Sequence, residues 1–233
     1  MTMIADKLAR VHARIASACA SAGRPVESVT LLVVSKTFGP DAVRAAHSEG
    51  ETRFGENYVQ EGLEKILSLD ALRERIEWHL IGPLQSNKTR VVAERFDWVH
   101  SIDRLKLAER LSAQRPAALP PLDICLQVNI SGEGSKNGLA PRDVIHTALA
   151  VAALPRLNLR GLMAIPEPTD DFEAQRRPHR ALCELFESLQ AEGLPLDTLS
   201  MGMSADLEAA IAEGATMVRI GSAIFGDRPR SSA

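Results

Sequence analysis

The sequence predicts an α/β fold, a single (β/α)8 barrel of the TIM type occupying residues 1–233 as one domain. Three observations predict it. Eight short apolar runs alternate with amphipathic segments from end to end, the pattern of parallel strands joined by right-handed helical crossovers. The length of 233 residues is close to the ~250 residues of such barrels. No linker-like run separates two domains; "RPAALPP" at 115–121 reads as a proline-rich loop. A doubly wound open sheet is the alternative that the same alternation allows.

The elements follow in order. "MIADKLARVHARIASACASAG" places apolar residues at helical spacing and stops at Gly23. "VTLLVVSK" (29–36) is the first strand, and "GPDAVRAAHSEG" a short helix with Pro40 near its start and Gly50 after its end. "TRFGEN" is the second strand, followed by a helix over 58–75. "IEWHLIG" is the third, and leads to a helix over 86–96 that Ser86 is placed to cap. "DWVHSI" precedes a helix capped by Asp103, and "LDICLQVNI" precedes the loop "SGEGSKNG" and the helix at 141–154. "LRGLMAI" runs into a polar, proline-bearing loop and a helix over 179–193. The tail reads strand, helix, strand: "LDTLSMGM", "SADLEAAIAEG" and "TMVRIGSAIFG".

Composition narrows the function. Hydrophobic residues at 45% and charged residues at 24% describe a chain able to bury a full core. A net charge of −3 and 4% aromatic residues give no broad nucleic-acid or anionic-membrane footprint. Cys19, Cys125 and Cys183 form no CxxC pair, so free cysteines in a reducing compartment are expected rather than disulfides or a zinc site. Lys7, Arg10 and Arg14 interrupt any export-signal core, and no membrane-length apolar run exists; the expectation is a cytoplasmic protein.

In a barrel, chemistry gathers at the C-terminal ends of the strands. Lys36 ends the first strand, after the apolar "LLVV". A desolvated lysine loses pKa and becomes a nucleophile toward aldehydes. Snorkelling to the rim, or pairing with Glu56, is the plainer reading of the same residue. After the last two strands stand Ser200 with the Gly202 turn, and Gly221 with Ser222. Barrels commonly build phosphate sites at these positions. A plain turn with Ser204 as helix cap is the alternative for the first motif, and a tight turn for the second.

An aldehyde-binding lysine combined with a phosphate cradle suggests pyridoxal 5′-phosphate (PLP). Arg219, two residues before Gly221, should point into the barrel, where a pyridine nitrogen or an acidic neighbour would accept from it. Against an always-protonated arginine the ring nitrogen stays unprotonated, which weakens the ring as an electron sink.

The stretches "VVSKTFGPDAVRAA", "RFGENYVQEG", "WHLIGPLQSNK", "GLMAIPEP", "LSMGMSADLEAAI" and "VRIGSAIFG" resemble the pyridoxal phosphate homeostasis protein family over roughly residues 5–228. The resemblance implies a barrel like the N-terminal domain of alanine racemase, with PLP bound as a Schiff base on Lys36. It implies that Ser200, Gly221 and Ser222 hold the phosphate, that Arg219 faces the pyridine nitrogen and that Asn57 lines the pocket. The family often has threonine where Ser222 stands, which preserves the hydroxyl. It further implies a cytosolic monomer without established turnover, acting in PLP supply and amino- and keto-acid balance, with PLP-dependent apo-enzymes as partners.

A small PLP-dependent racemase or lyase is the alternative function, and a PLP-free Schiff-base aldolase a third. Racemases of this fold add a C-terminal β-domain, and with seven residues after "AIFG" no such domain is expected here. They also use a tyrosine as second acid–base group. The only tyrosine, Tyr58, starts a helix and is expected to pack or cap, and His79 and His100 are expected to be satisfied near strand ends. Lys136, in "SGEGSKNG", is a secondary candidate for catching an anion or handing PLP onward.

Overall fold

The computed structural model describes residues 3–132 and 137–226. Eight parallel strands close into a barrel in sequence order. They are β1 (Thr30–Val34), β2 (Arg53–Glu56), β3 (Glu77–Leu80), β4 (Trp98–Ile102), β5 (Leu122–Gln127), β6 (Leu157–Met163), β7 (Thr198–Ser200) and β8 (Met217–Ile220). Pairing of Thr30 with Met217 through Val33 with Ile220 closes the ring. The helices are α1 (Met3–Ser21), α2 (Pro40–Ser48), α3 (Val59–Ser68), α4 (Thr89–Arg95), α5 (Leu105–Gln114), α6 (Pro141–Ala152), α7 (Phe172–Ala191), α8 (Leu207–Ala212) and the single turn α9 (Ser222–Phe225).

Strand side chains alternate between the two faces of the sheet. One face meets the helices: Val33, Phe54, Leu80, Val99, Ile124, Val218 and Ile220 belong to one continuous apolar cluster with α1 to α9. The other face fills the barrel. There the apolar groups are few and form two smaller clusters, Leu32–Val34–Ile81–Met217 and Trp98–Cys125–Met163. Between them lie buried polar residues, His79, His100, Ser200 and Arg219. The interior of this barrel is therefore half polar, and that feature shapes the site.

Several boundaries depart from the sequence expectation. "TMVRIGSAIFG" is not one strand: β8 stops at Ile220, and Ser222 opens α9. Helix α7 starts at Phe172 rather than 179, because Asp171 caps it by accepting from the Ala174 N–H at 2.7 Å. Pro178 lies within the helix, and the buried stripe His179, Leu182, Phe186 and Leu189 outweighs its missing donor. Helix α3 ends at Ser68, with a separate 3-10 turn at Asp70–Leu72. The expected caps also differ. Asp103 bonds Arg104 instead of capping α5, Ser86 lies in a 3-10 turn before α4, and Ser204 precedes α8 by three residues without capping it. Cys19 and Cys125 are buried free thiols and Cys183 is partly exposed. Lys136 lies outside the described residues.

Candidate functional site

The first wall of the site is the turn after β1. The Phe38 N–H donates to the Ser35 carbonyl at 3.1 Å, so Lys36 and Thr37 occupy the two corners of a tight turn. Thr37 has φ 68°, a conformation that a β-branched residue adopts only under constraint. The constraint is visible: its N–H donates to Glu61 Oε1 at 2.5 Å. Glu61 in turn accepts from Lys65 Nζ at 2.7 Å, and Lys65 donates equally to Glu56 Oε1 and to the Ser35 carbonyl. The Ser35 hydroxyl completes the cluster by donating to Glu56 at 2.5 Å. Both residues flanking Lys36 are thus tied to one buried charged cluster. Burial pushes the Glu56 carboxyl up, and Lys65 opposes that shift. Glu56, one partner considered for Lys36, is taken by Lys65.

The opposite wall comes from the loops after β7 and β8. Gly221 packs so closely on β1 that a Cβ there would lie 2.8 Å from the Val34 carbonyl oxygen. Gly202 has φ 91°, and its carbonyl accepts from the Arg219 N–H at 2.9 Å, which pins the loop beside β8. Asp206 shapes the same loop, accepting from the Met203 N–H at 2.7 Å and bonding buried His179 at 2.9 Å. Burial alone would raise the Asp206 carboxyl, but these bonds hold it below its ordinary value. The result brings Ser204 Oγ to 3.3 Å from Ser222 Oγ, a pair of hydroxyls on one rim.

Asn57 enters from the end of β2. A Cβ on Gly82 would lie 2.0 Å from the Asn57 carbonyl oxygen, so only glycine lets the β2 and β3 ends meet this closely. The Ser101 hydroxyl holds Gly82 by donating to its carbonyl at 2.6 Å.

These elements enclose a cleft of about 630 Å3 lined by Lys36, Thr37, Phe38, Asn57, Ile81, Ile165, Ser204, Arg219, Gly221 and Ser222, among others. The volume suits a small organic ligand. Among the described residues two cations line it and no carboxylate does, so these walls favour an anion. A second cleft, of about 580 Å3 at the N-terminal ends of the strands, is also rich in arginine. Its Arg73 and Arg53 are already paired, with Asp97 at 2.6 Å and Glu77 at 3.3 Å.

Five of the six residues expected at the site, Lys36, Asn57, Arg219, Gly221 and Ser222, share this cleft. Ser200 does not. It is fully buried inside the barrel, where its Oγ lies 2.8 Å from both Arg219 Nη1 and His100 Nδ1. The Ser200 hydroxyl is committed to Arg219, and the hydroxyl that stands beside Ser222 on the rim is that of Ser204. The sequence carried the signal for Ser204 in the "GMSAD" turn, where a capping role competed with it.

Arg219 points into the barrel as its register requires, and it is among the residues that line the cleft. It donates to the Ser200 carbonyl and hydroxyl and to the Ala164 carbonyl, not to a carboxylate. Burial brings its pKa down to about 10, which leaves it charged at neutral pH. His79 and His100 are satisfied and fully buried, deeper than strand ends would place them. Tyr58 occupies the N-cap position of α3, where its carbonyl accepts from the Gly62 N–H at 2.9 Å; its side chain makes no capping bond, is 59% exposed and lies outside the cleft lining.

A lysine amine, a cationic floor and a pair of rim hydroxyls suit an anionic aldehyde. Gly221 keeps the end of β8 tight against β1, where a Cβ would not fit, and PLP fits this donor set.

Comparison with known proteins agrees with the site. The alanine racemase N-terminal domain family matches residues 7–229. The pyridoxal phosphate homeostasis protein of Pseudomonas aeruginosa is 60% identical over 228 residues, covering 98% of this chain and 97% of that protein. The protein of the same name from Escherichia coli is 53% identical, with 99% of each covered. PipY of Synechococcus elongatus, solved with PLP bound, superposes with a TM-score of 0.84 at 36% identity, covering 96% of this chain and 100% of that one. An alanine racemase of Clostridium difficile shares the fold alone, with a TM-score of 0.74 at 13% identity over 96% of this chain and 58% of its own. With its barrel, its cleft lysine and these relatives, the chain belongs to the pyridoxal phosphate homeostasis protein family, within the alanine racemase N-terminal domain fold.

Proposed function

We propose that this protein holds PLP in the cleft at the C-terminal mouth of the barrel, as a Schiff base on Lys36, and serves PLP homeostasis rather than catalytic turnover. The carrying observation is the cleft itself, with Lys36 and Arg219 in its lining and the Ser204–Ser222 hydroxyl pair on its rim. The PLP-bound relative supports the choice of ligand.

Each group has a role in this reading. Lys36 Nζ attacks the aldehyde carbon, forms the C=N bond and releases water. Gly221, Ser222 and Ser204 receive the phosphate, Asn57 borders the ring and Arg219 donates toward the pyridine nitrogen from the floor. The bound cofactor supplies electrophilic carbonyl chemistry. Among the described residues the side chains lining the cleft supply no second acid–base group opposite Lys36, and Tyr58 stands outside that lining. The wider reading is of one barrel domain acting as a cytoplasmic monomer, supporting amino- and keto-acid balance by supplying PLP to apo-enzymes. Family membership supports it, and among the described residues no helix is long and apolar enough to cross a membrane.

The test is an absorbance spectrum of protein mixed with PLP, before and after borohydride. Wild type is expected to show a visible imine band that borohydride abolishes, with the reduced adduct on Lys36. Lys36→Ala is expected to lose the band entirely. Lys36-dependent multiple turnovers of a D- or L-amino acid would instead assign a racemase or lyase.

A further inference from the structure

The barrel axis holds a line of hydrogen bonds that the cleft alone does not account for. It runs from Arg219 Nη1 to Ser200 Oγ (2.8 Å), Ser200 Oγ to His100 Nδ1 (2.8 Å), His100 Nε2 to His79 Nδ1 (2.9 Å) and His79 Nε2 to Glu77 Oε1 (2.9 Å). It begins at the cleft floor and ends at the opposite mouth of the barrel, where Glu77 is 38% exposed. His79 is held flat against Trp98, with ring centroids 5.2 Å apart and an interplanar angle of 15°.

The two ends fix the direction of the whole line. A guanidinium can only donate, so Ser200 Oγ accepts from Arg219 and turns its own proton toward His100. A carboxylate can only accept, so His79 donates from Nε2 and exposes Nδ1 as an acceptor to His100. His100 therefore carries its proton on Nε2, and both rings are neutral. Burial lowers both rings, His100 well below its ordinary value. The charges facing His79 are Glu77, Asp97 and Arg53, and those facing His100 are His79 itself and Arg219. Every member turns its negative end to Arg219 and its positive end to Glu77. Arg219 is 3% exposed and bonds no carboxylate; Asp206 opposes its charge only without a hydrogen bond, and a buried cation in that state is costly unless fixed dipoles add to that opposition.

We propose that His100 and His79 are positioning residues for Arg219: with Ser200 they form a one-way chain that couples the guanidinium at the cleft to the Glu77 carboxylate at the far mouth, and so hold Arg219 for the ligand. The proposal rests on the PLP-holding reading and deepens it by adding three residues, His79, His100 and Glu77, that do not touch the ligand.

Nitrogen NMR of the histidine rings in ligand-free protein tests the chain, and PLP titration tests its purpose. Both rings are expected neutral at pH 7 with the proton on Nε2. Glu77→Gln, whose amide can donate or accept, is expected to release that order and to change the tautomer signal of His100 two bonds away. A purely structural role of Glu77 would leave that signal unmoved. The same variant is expected to bind PLP about five-fold more weakly, and His100→Phe about ten-fold. If His100→Phe does not fold, Glu77→Gln alone decides. A ring protonated on Nδ1, or charged, overturns the chain. Normal PLP uptake with unchanged affinity in both variants overturns the positioning role alone. Wild type that takes up no PLP overturns that role together with the proposed function.

Discussion

Lys36 lies in the turn that follows β1, and Lys65 donates to the carbonyl of the residue just before it. Lys65 is 3% exposed and donates to Glu56, Glu61 and the Ser35 carbonyl, each at 2.7 Å. Lys36 is half-buried and reaches the cleft. The more deeply buried lysine is thus the structural one. Two carboxylates hold its ammonium in place and leave it no access to ligand, whereas the lysine offered to chemistry stands at a rim that its neighbour's cluster braces. Depth of burial does not by itself mark a reactive lysine; the partners at that depth decide.

The largest effect expected from this contrast is on stability. Lys65→Ala strands Glu56 in a buried site and should cost about 3–5 kcal/mol, the range for removing one partner of a buried ion pair. Lys36→Ala removes no member of that cluster and should change stability by less than about 1 kcal/mol. Urea unfolding of the two variants measures the difference directly. Equal costs would mean that Lys36 is part of the same structural unit, and the contrast would be lost.

A second pair of regions sharpens it. In the Lys65 cluster a cation is held by carboxylates, while in the barrel axis two histidines are kept neutral. A ring whose folded pKa lies below 6.5 binds fewer protons folded than unfolded. Its contribution is therefore intact above pH 6.5 and is lost as pH falls below it. Each ring should lower stability by up to about 1.4 kcal/mol per pH unit within that window. Denaturation midpoints between pH 7 and pH 5 test this, and His100→Asn should remove one ring's share of the slope. An unchanged slope in that variant would show that His100 already titrates normally in the folded protein.

Much of this was legible in the residues. Strict alternation predicted the barrel, and strand ends predicted the mouth where Lys36, Asn57, Arg219, Gly221 and Ser222 meet. Sequence position does not reveal which way a short polar side chain turns. Ser200 faces the barrel interior because β7 ends on an inward position beside Arg219, and the rim role passes to Ser204 four residues later. The Lys65 cluster was hidden for another reason. A lysine four residues from a glutamate on an amphipathic helix reads as a solvated pair, and only the packing of α3 against the β1 and β2 ends buries it. Gly82 was visible as a glycine, but its purpose, the 2.0 Å approach to the Asn57 carbonyl, depends on two strands meeting.

The smallest effect belongs to Thr37, the residue between the two lysines' territories. Its φ of 68° is paid for by the bond from its N–H to Glu61. Thr37→Gly keeps that N–H and removes the Cβ, relieving about 1–2 kcal/mol of left-handed strain. Glycine's extra freedom in the unfolded chain takes back about 0.5–1 kcal/mol. Stability should therefore stay level or rise by up to about 1 kcal/mol, read by urea unfolding beside Lys65→Ala. A loss above about 2 kcal/mol would show that the threonine side chain, rather than the Glu61 carboxylate, holds the turn. The support for Lys36 would then be local, and the Lys65 cluster would have no part in presenting it.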